Sequence, residues 1–280
     1  MTNKQLATQY AENGFIVIEN AIDSSDLESI RCAARDIIRD FDVDEHRSVF
    51  STLHQDTDRD RYFIESAEAV HCFLEEGALT EKGELNRPKE RAINKIGHAM
   101  HDLVPAFTNF CRLPVFAETL HDIGYRAPQL WQTMYIFKQP RIGGKVRWHQ
   151  DASYLIADQP GVVGFWIAIE DANKSNGCLW VQPGGHQSPL REIYEVGPAS
   201  PTGVLRALDD TPWPDESQAI AMEIPAGSMI MFNDRMPHYS SQNLSDKSRQ
   251  AFTMHFTELE SHWADVNWLQ RPNLEPFVLD

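Results

Sequence analysis

The chain has 280 residues, 42% of them hydrophobic, enough to bury a full core as one domain without a second module. Its formal net charge is −16, a field that repels nucleic acid and anionic membrane surfaces, so neither is expected as a partner. No basic patch followed by an apolar run stands at the N-terminus, no apolar stretch approaches a membrane span, and the four cysteines (Cys32, Cys72, Cys111 and Cys178) lack paired spacing, which points to a soluble, unprocessed, cytoplasmic protein.

Residues 14–19 read as a short first strand. Ser25 and Glu28 make a capping-box pattern ahead of Leu27, Ile30, Ala34, Ile37 and Phe41, which share one helical face. Residues 42–60 are acidic and aperiodic, as in an exposed loop that approaches a site. A short helix is expected over 66–75, turns over 77–88, and a longer helix over 89–110 with Ile93, Ile96, Met100 and Leu103 on its apolar side. Lys95 lies off that stripe, where helical spacing alone makes it a surface lysine. A further helix over 114–123 ends at Gly124.

After Pro128 the texture changes. Short alternating runs at 129–137, 162–170, 179–182, 220–224, 229–232 and 251–257 are separated by Gly, Pro, Asn and Asp, the pattern of an antiparallel sandwich or barrel. Residues 188–217 are long, Pro-rich and aperiodic, which suits a mobile flap over the sandwich mouth. The chain thus divides into a mostly helical support (1–128), a β core (129–257) and a C-terminal tail (258–280).

The chemistry concentrates around Trp148-His149-Gln150-Asp151. In extended chain residues i and i+2 share a face, so His149 and Asp151 can grip one metal ion from the same side. A third ligand is needed, and His238, which follows the strand-like run 228–232 and a turn, is the candidate. Arg249 opens the next strand-like run, and its planar fork suits a dicarboxylate lying on the metal. Two histidines and one carboxylate on one octahedral face characterise non-haem iron(II) oxygenases. A second HQD, His54-Gln55-Asp56, has no strand before it and no partner after it, and reads as solvated surface. His186 reads as a loop residue and His255 as a core residue within a strand. Lys138, Arg141, Lys145 and Arg147 form either a basic rim or a solvated loop. Trp166 shares a face with the small residues Gly164 and Ala168, which leaves room for a ligand or marks a core tryptophan.

Several blocks resemble the phytanoyl-CoA dioxygenase family of iron(II)- and 2-oxoglutarate-dependent oxygenases. They are Asn13-Gly14-Phe15-Ile16-Val17-Ile18, Ile93-Asn94-Lys95-Ile96-Gly97-His98, Met134-Tyr135-Ile136-Phe137-Lys138-Gln139-Pro140, residues 149–155, Gly177-Cys178-Leu179-Trp180 and residues 242–250. The resemblance implies a double-stranded β-helix (jelly roll) with N-terminal helices packed on one sheet. It implies that His149, Asp151 and His238 bind Fe(2+), that Arg249 binds the tail of 2-oxoglutarate, and that Lys95, Met134, Gln150, Trp166 and Ser240 line the co-substrate pocket, with O2 as second co-substrate. Family members act on acyl-CoA esters, small natural products and amino-acid derivatives; the acidic charge argues weakly against a CoA thioester here. Two other readings use the same residues: a metal-binding or regulatory protein without turnover, and a cupin-type enzyme that does not use 2-oxoglutarate.

Overall fold

A computed structural model describes residues 3–50 and 61–280. The first half alternates helices with strands: α1 (Asn3–Asn13), β1 (Phe15–Ile18), α2 (Ser24–Asp40), β2 (Val49–Phe50), α3 (Arg61–Glu65), β3 (Val70–Glu75), β4 (Ile93–His98), α4 (Met100–Leu103), α5 (Pro105–Cys111) and α6 (Pro114–Asp122). The second half is strands: β5 (Pro128–Lys138), β6 (Val146–His149), β7 (Val163–Ala168), β8 (Leu179–Val181), β9 (Glu192–Gly197), β10 (Ser200–Ala207), β11 (Ile220–Met222), β12 (Met229–Asn233), β13 (His238–Ser240), β14 (Arg249–Glu258) and β15 (Phe277–Val278).

A large sheet has the order β1-β12-β7-β14-β5-β4-β3-β2, with β15 pairing on β5, and a small sheet has the order β11-β8-β13-β6. From β5 to β8, and again from β11 to β14, the chain passes back and forth between the two sheets, as a jelly roll requires. Pairing among β12, β7, β14 and β5 is antiparallel throughout.

Alternation decides which face each residue serves. On β7, β12 and β14 the residues Phe165, Ile167, Met229, Met231, Phe252 and Met254 belong to a core shared with Leu27, Ile30, Ala34 and Ile38 of α2 and Phe107 and Phe110 of α5. The intervening Trp166, Ala168, Ile230, Phe232 and Ala251 pack with Leu179, Val181 and Met222 of the small sheet. The helices therefore cover the outside of the large sheet, and its inside faces the small one. Phe252 is fully buried, with its ring 5.3 Å from Phe107 and 5.4 Å from Phe110. Phe252→Ala should cost about 3–5 kcal/mol of stability by opening a cavity there, read as a lowered denaturation midpoint.

Four expectations change. Residues 70–75 and 93–98 are strands, not helices: β4 is buried along its whole length and pairs with both β3 and β5. A strand covered on both faces carries no alternation. The support half thus supplies strands to the large sheet as well as helices. Asp23, not Ser25, caps α2, with no side-chain hydrogen bond at the cap; Glu28 instead bonds Arg31 and Arg35. Residues 188–217 are built rather than loose. They contain the β9–β10 ribbon, Tyr194 is fully buried, and the Arg191 guanidinium donates to the Thr211 and Pro212 carbonyls and sits 4.8 Å from the Trp213 ring. Among the described residues the cysteines are free, and no helix is long and apolar enough to cross a membrane.

Candidate active site

His149 ends β6 and His238 opens β13, and the two are register partners across the small sheet. Their rings lie 4.1 Å apart between centroids. Asp151 starts the turn after β6, and its Oδ1 is 3.7 Å from Nε2 of each histidine. Nδ1 of His149 faces the Arg147 carbonyl at 3.0 Å and Nδ1 of His238 faces the Met236 carbonyl at 2.9 Å. A carbonyl only accepts, so each Nδ1 carries a proton, and each Nε2 is the atom turned to the centre where a metal would be held. Burial and the neighbouring His238 push the His149 pKa down to about 3, which keeps that ring neutral at physiological pH. Burial pushes the Asp151 carboxyl up, but His238, His255 and His149 outweigh it and hold the group below its ordinary range. A neutral His149 and an ionised Asp151 are in the protonation states a divalent metal needs of its ligands. Among the described residues, these three have ligand atoms lying within 4.8 Å of one another.

The triad opens into a cavity of about 170 Å³ between the sheets. Arg249 lies in its wall, almost fully buried, register-paired with Lys138 on β5. Its Nη2 donates to the Gly177 carbonyl at 3.0 Å, while Nε and Nη1 are buried with no partner. Its guanidinium lies 5.2 Å from the Trp166 ring. Burial lowers the Arg249 pKa to about 10, so the charge persists at neutral pH. A buried cation with two unused donors is costly unless something anionic completes it. Lys138, also buried, donates to the Gly144 carbonyl; burial and the Arg249 charge hold its pKa well below the usual lysine value.

Of the remaining expected pocket residues, Lys95, Met134, Trp166 and Ser240 line this cavity. Lys95 reaches it from a strand: its Nζ lies 3.8 Å from Met134 Sδ and 3.3 Å from the Phe50 ring centre. Gln150 does not line it. Standing between two residues that face the metal centre, it points the other way, where its amide donates to the Pro189 and Arg235 carbonyls and accepts from Arg191 N–H. It pins the segment before β9 to the turn before His238. His54-Gln55-Asp56 lies outside the described residues.

The basic cluster separates. Lys138 is inside, whereas Arg141, Lys145 and Arg147 pair with Asp246, Glu216 and Glu192. His186 sits in a short 3-10 turn with Nε2 3.2 Å from the Ala11 carbonyl. His255 is in the core, as expected, and also touches the site, with Nε2 3.1 Å from Asp151 Oδ2. Its period-2 relation to Arg249, Ala251 and Thr253 is the signal that places it on the inner face. Nothing in sequence indicated Glu75, Asn94, Phe63, Tyr154 or Trp268, which complete the lining from the first half, the post-β6 turn and the tail. Burial raises the Glu75 carboxyl, partly offset by the Asn94 amide at 2.9 Å and by Lys138.

Residues 10–251 match the family model described as phytanoyl-CoA dioxygenase. A phytanoyl-CoA dioxygenase of Arabidopsis thaliana is 38% identical over 96% of this chain and 94% of its own length. The phytanoyl-CoA dioxygenase domain-containing protein 1 of Bos taurus is 36% identical over 96% and 95%. Among solved structures, the epimerase SnoN, crystallised with Fe3+, alpha ketoglutarate and nogalamycin RO, superposes with a TM-score of 0.66 at 13% identity, covering 98% of this chain and 93% of that one. That likeness confirms the jelly-roll fold. A family match over most of the chain, with relatives of this identity along nearly their whole length, makes the chain a member of the phytanoyl-CoA dioxygenase family.

Proposed function

We propose that the protein is an iron(II)- and 2-oxoglutarate-dependent dioxygenase that hydroxylates a C–H bond of a small organic substrate. One observation carries the reading: an open His-Asp-His triad shares one cavity with a buried arginine that has two unused donors. His149, Asp151 and His238 would hold the iron, and Arg249 would take the distal carboxylate of 2-oxoglutarate. Iron(II), 2-oxoglutarate and O2 together supply the oxidising power, with succinate and CO2 as by-products.

The chain's own residues do the rest. The Gly177 carbonyl and the nearby Trp166 ring hold the Arg249 fork in place, which would pre-position a dicarboxylate relative to the metal. Leu179, Phe232, Met134 and Trp166 line the space between with apolar surface and exclude water from the reacting centre. Phe63, Tyr154, Leu155 and Trp268 form an aromatic and aliphatic wall for the primary substrate. A cavity this size admits a reacting group or a compact molecule, with any larger appendage left outside. Asp151 favours hydroxylation, because its carboxylate would hold the metal where halide transfer would need a small side chain.

The test is an anaerobic titration with iron(II) and then 2-oxoglutarate, followed in the visible region. A weak metal-to-ligand charge-transfer band that needs both additions is expected, and it would justify screening substrates by succinate release. Iron bound with no band on adding 2-oxoglutarate would sink the assignment.

A further inference from the structure

The two oxygens of Asp151 stand in different surroundings. Oδ1 faces both ligand histidines at 3.7 Å, whereas Oδ2 faces Nε2 of His255 at 3.1 Å. His255 belongs to the opposite sheet, where its register partner on β5 is Gln132, and Gln132 Nε2 lies 3.2 Å from His255 Nδ1. An amide nitrogen only donates. In that orientation His255 Nδ1 accepts, and Nε2–H is the group that donates to Asp151 Oδ2. The same orientation leaves Gln132 Oε1 buried without a partner. Gly164, the register partner of His255 on β7, completes the arrangement. A Cβ there would lie 3.3 Å from Asp151 Oδ2 and 2.9 Å from the Phe232 ring, so a side chain would crowd the carboxylate.

We propose that Gln132 and His255 form a positioning relay that ties Oδ2 to the large sheet and leaves Oδ1 alone to ligate the metal. A carboxylate free to turn would present both oxygens and occupy a coordination position the co-substrates need. His255 also lines the cavity, but in this role it acts through Asp151. The inference rests on the metal assignment above.

The experiment compares His255→Phe, His255→Gln and Gln132→Leu with wild type in the full chain. Thermal melts report folding, anaerobic iron(II) titration alone reports affinity, and the charge-transfer band is recorded after 2-oxoglutarate is added. His255→Phe should fold and bind iron(II) about 10- to 100-fold more weakly, with a shifted or broadened band. His255→Gln, which keeps an N–H donor, should recover most of the affinity and the band position. Gln132→Leu, which frees the ring to change tautomer, should fall between. Wild-type affinity and band in His255→Phe would overturn the relay, and so would a His255→Gln variant no better than His255→Phe, since His255 would then only fill space. The two readings fail separately: the wild-type titration decides the proposed function, and the differences between variants and wild type decide the relay.

Discussion

Replacing Arg249 with methionine should weaken 2-oxoglutarate binding by about two orders of magnitude while leaving iron(II) binding in place. Truncating one partner of a buried, hydrogen-bonded charge pair costs about 2–5 kcal/mol, and 1.4 kcal/mol is a factor of ten. Methionine fills the space against Trp166, so the loss reports the missing fork rather than a collapsed wall. Arg249→Lys should recover only part, because an ammonium offers a point charge in place of two parallel donors. The readout is the charge-transfer band as a function of 2-oxoglutarate at saturating iron. An unchanged dissociation constant would mean that the distal carboxylate sits elsewhere, with Lys138 and Lys95 the other basic side chains in the cavity wall.

Asp151→Ala should abolish turnover and weaken iron(II) binding by at least about 100-fold, since even the loss of a group that only hydrogen-bonds a ligand costs 10- to 100-fold. The triad loses its single carboxylate, and two imidazoles from adjacent strands remain to hold a dication. His255 loses its acceptor as well. Iron titration and succinate release measure the two effects independently. Turnover retained by the variant would refute Asp151 as a ligand.

Much of this site is legible in the sequence because it obeys period-2 geometry. His149 and Asp151 announce themselves by spacing, and His238 and Arg249 by standing at the starts of later strands. The strands after Pro128 are readable because one face meets the helices and the other meets the small sheet, so apolar residues alternate with residues of another kind. The same rule tells against Gln150 as a pocket residue. It lies between two residues of one face and must point to the other, whatever a family resemblance implies. β3 and β4 fail for the opposite reason: β4 is buried on both faces, and its Ile93 and Ile96 happen to fall at helical spacing with Met100. Lys95 then looks like a surface lysine on a helix, whereas it is the register partner of Ile136 inside the sandwich. Trp268 and Phe63 reach the cavity from irregular or short segments, where no local pattern records a tertiary destination.

The triad draws its ligands from two places far apart in the chain, the end of β6 with its turn and the start of β13, while Asp151 is tied to the opposite sheet through His255. A metal ion seated there is a cross-link as well as a reagent. It would close a long loop and join both layers of the sandwich, and it would be held only while the fold keeps those ligands together. On the proposed function, 2-oxoglutarate would add to this by pairing donors of Arg249 that are otherwise buried alone. Ligands that bind only the folded state stabilise it by about 2.7 kcal/mol at a hundred times their dissociation constant. Loading and folding would then be one coupled equilibrium, and a chelator would act on the stability of the protein as well as on its turnover.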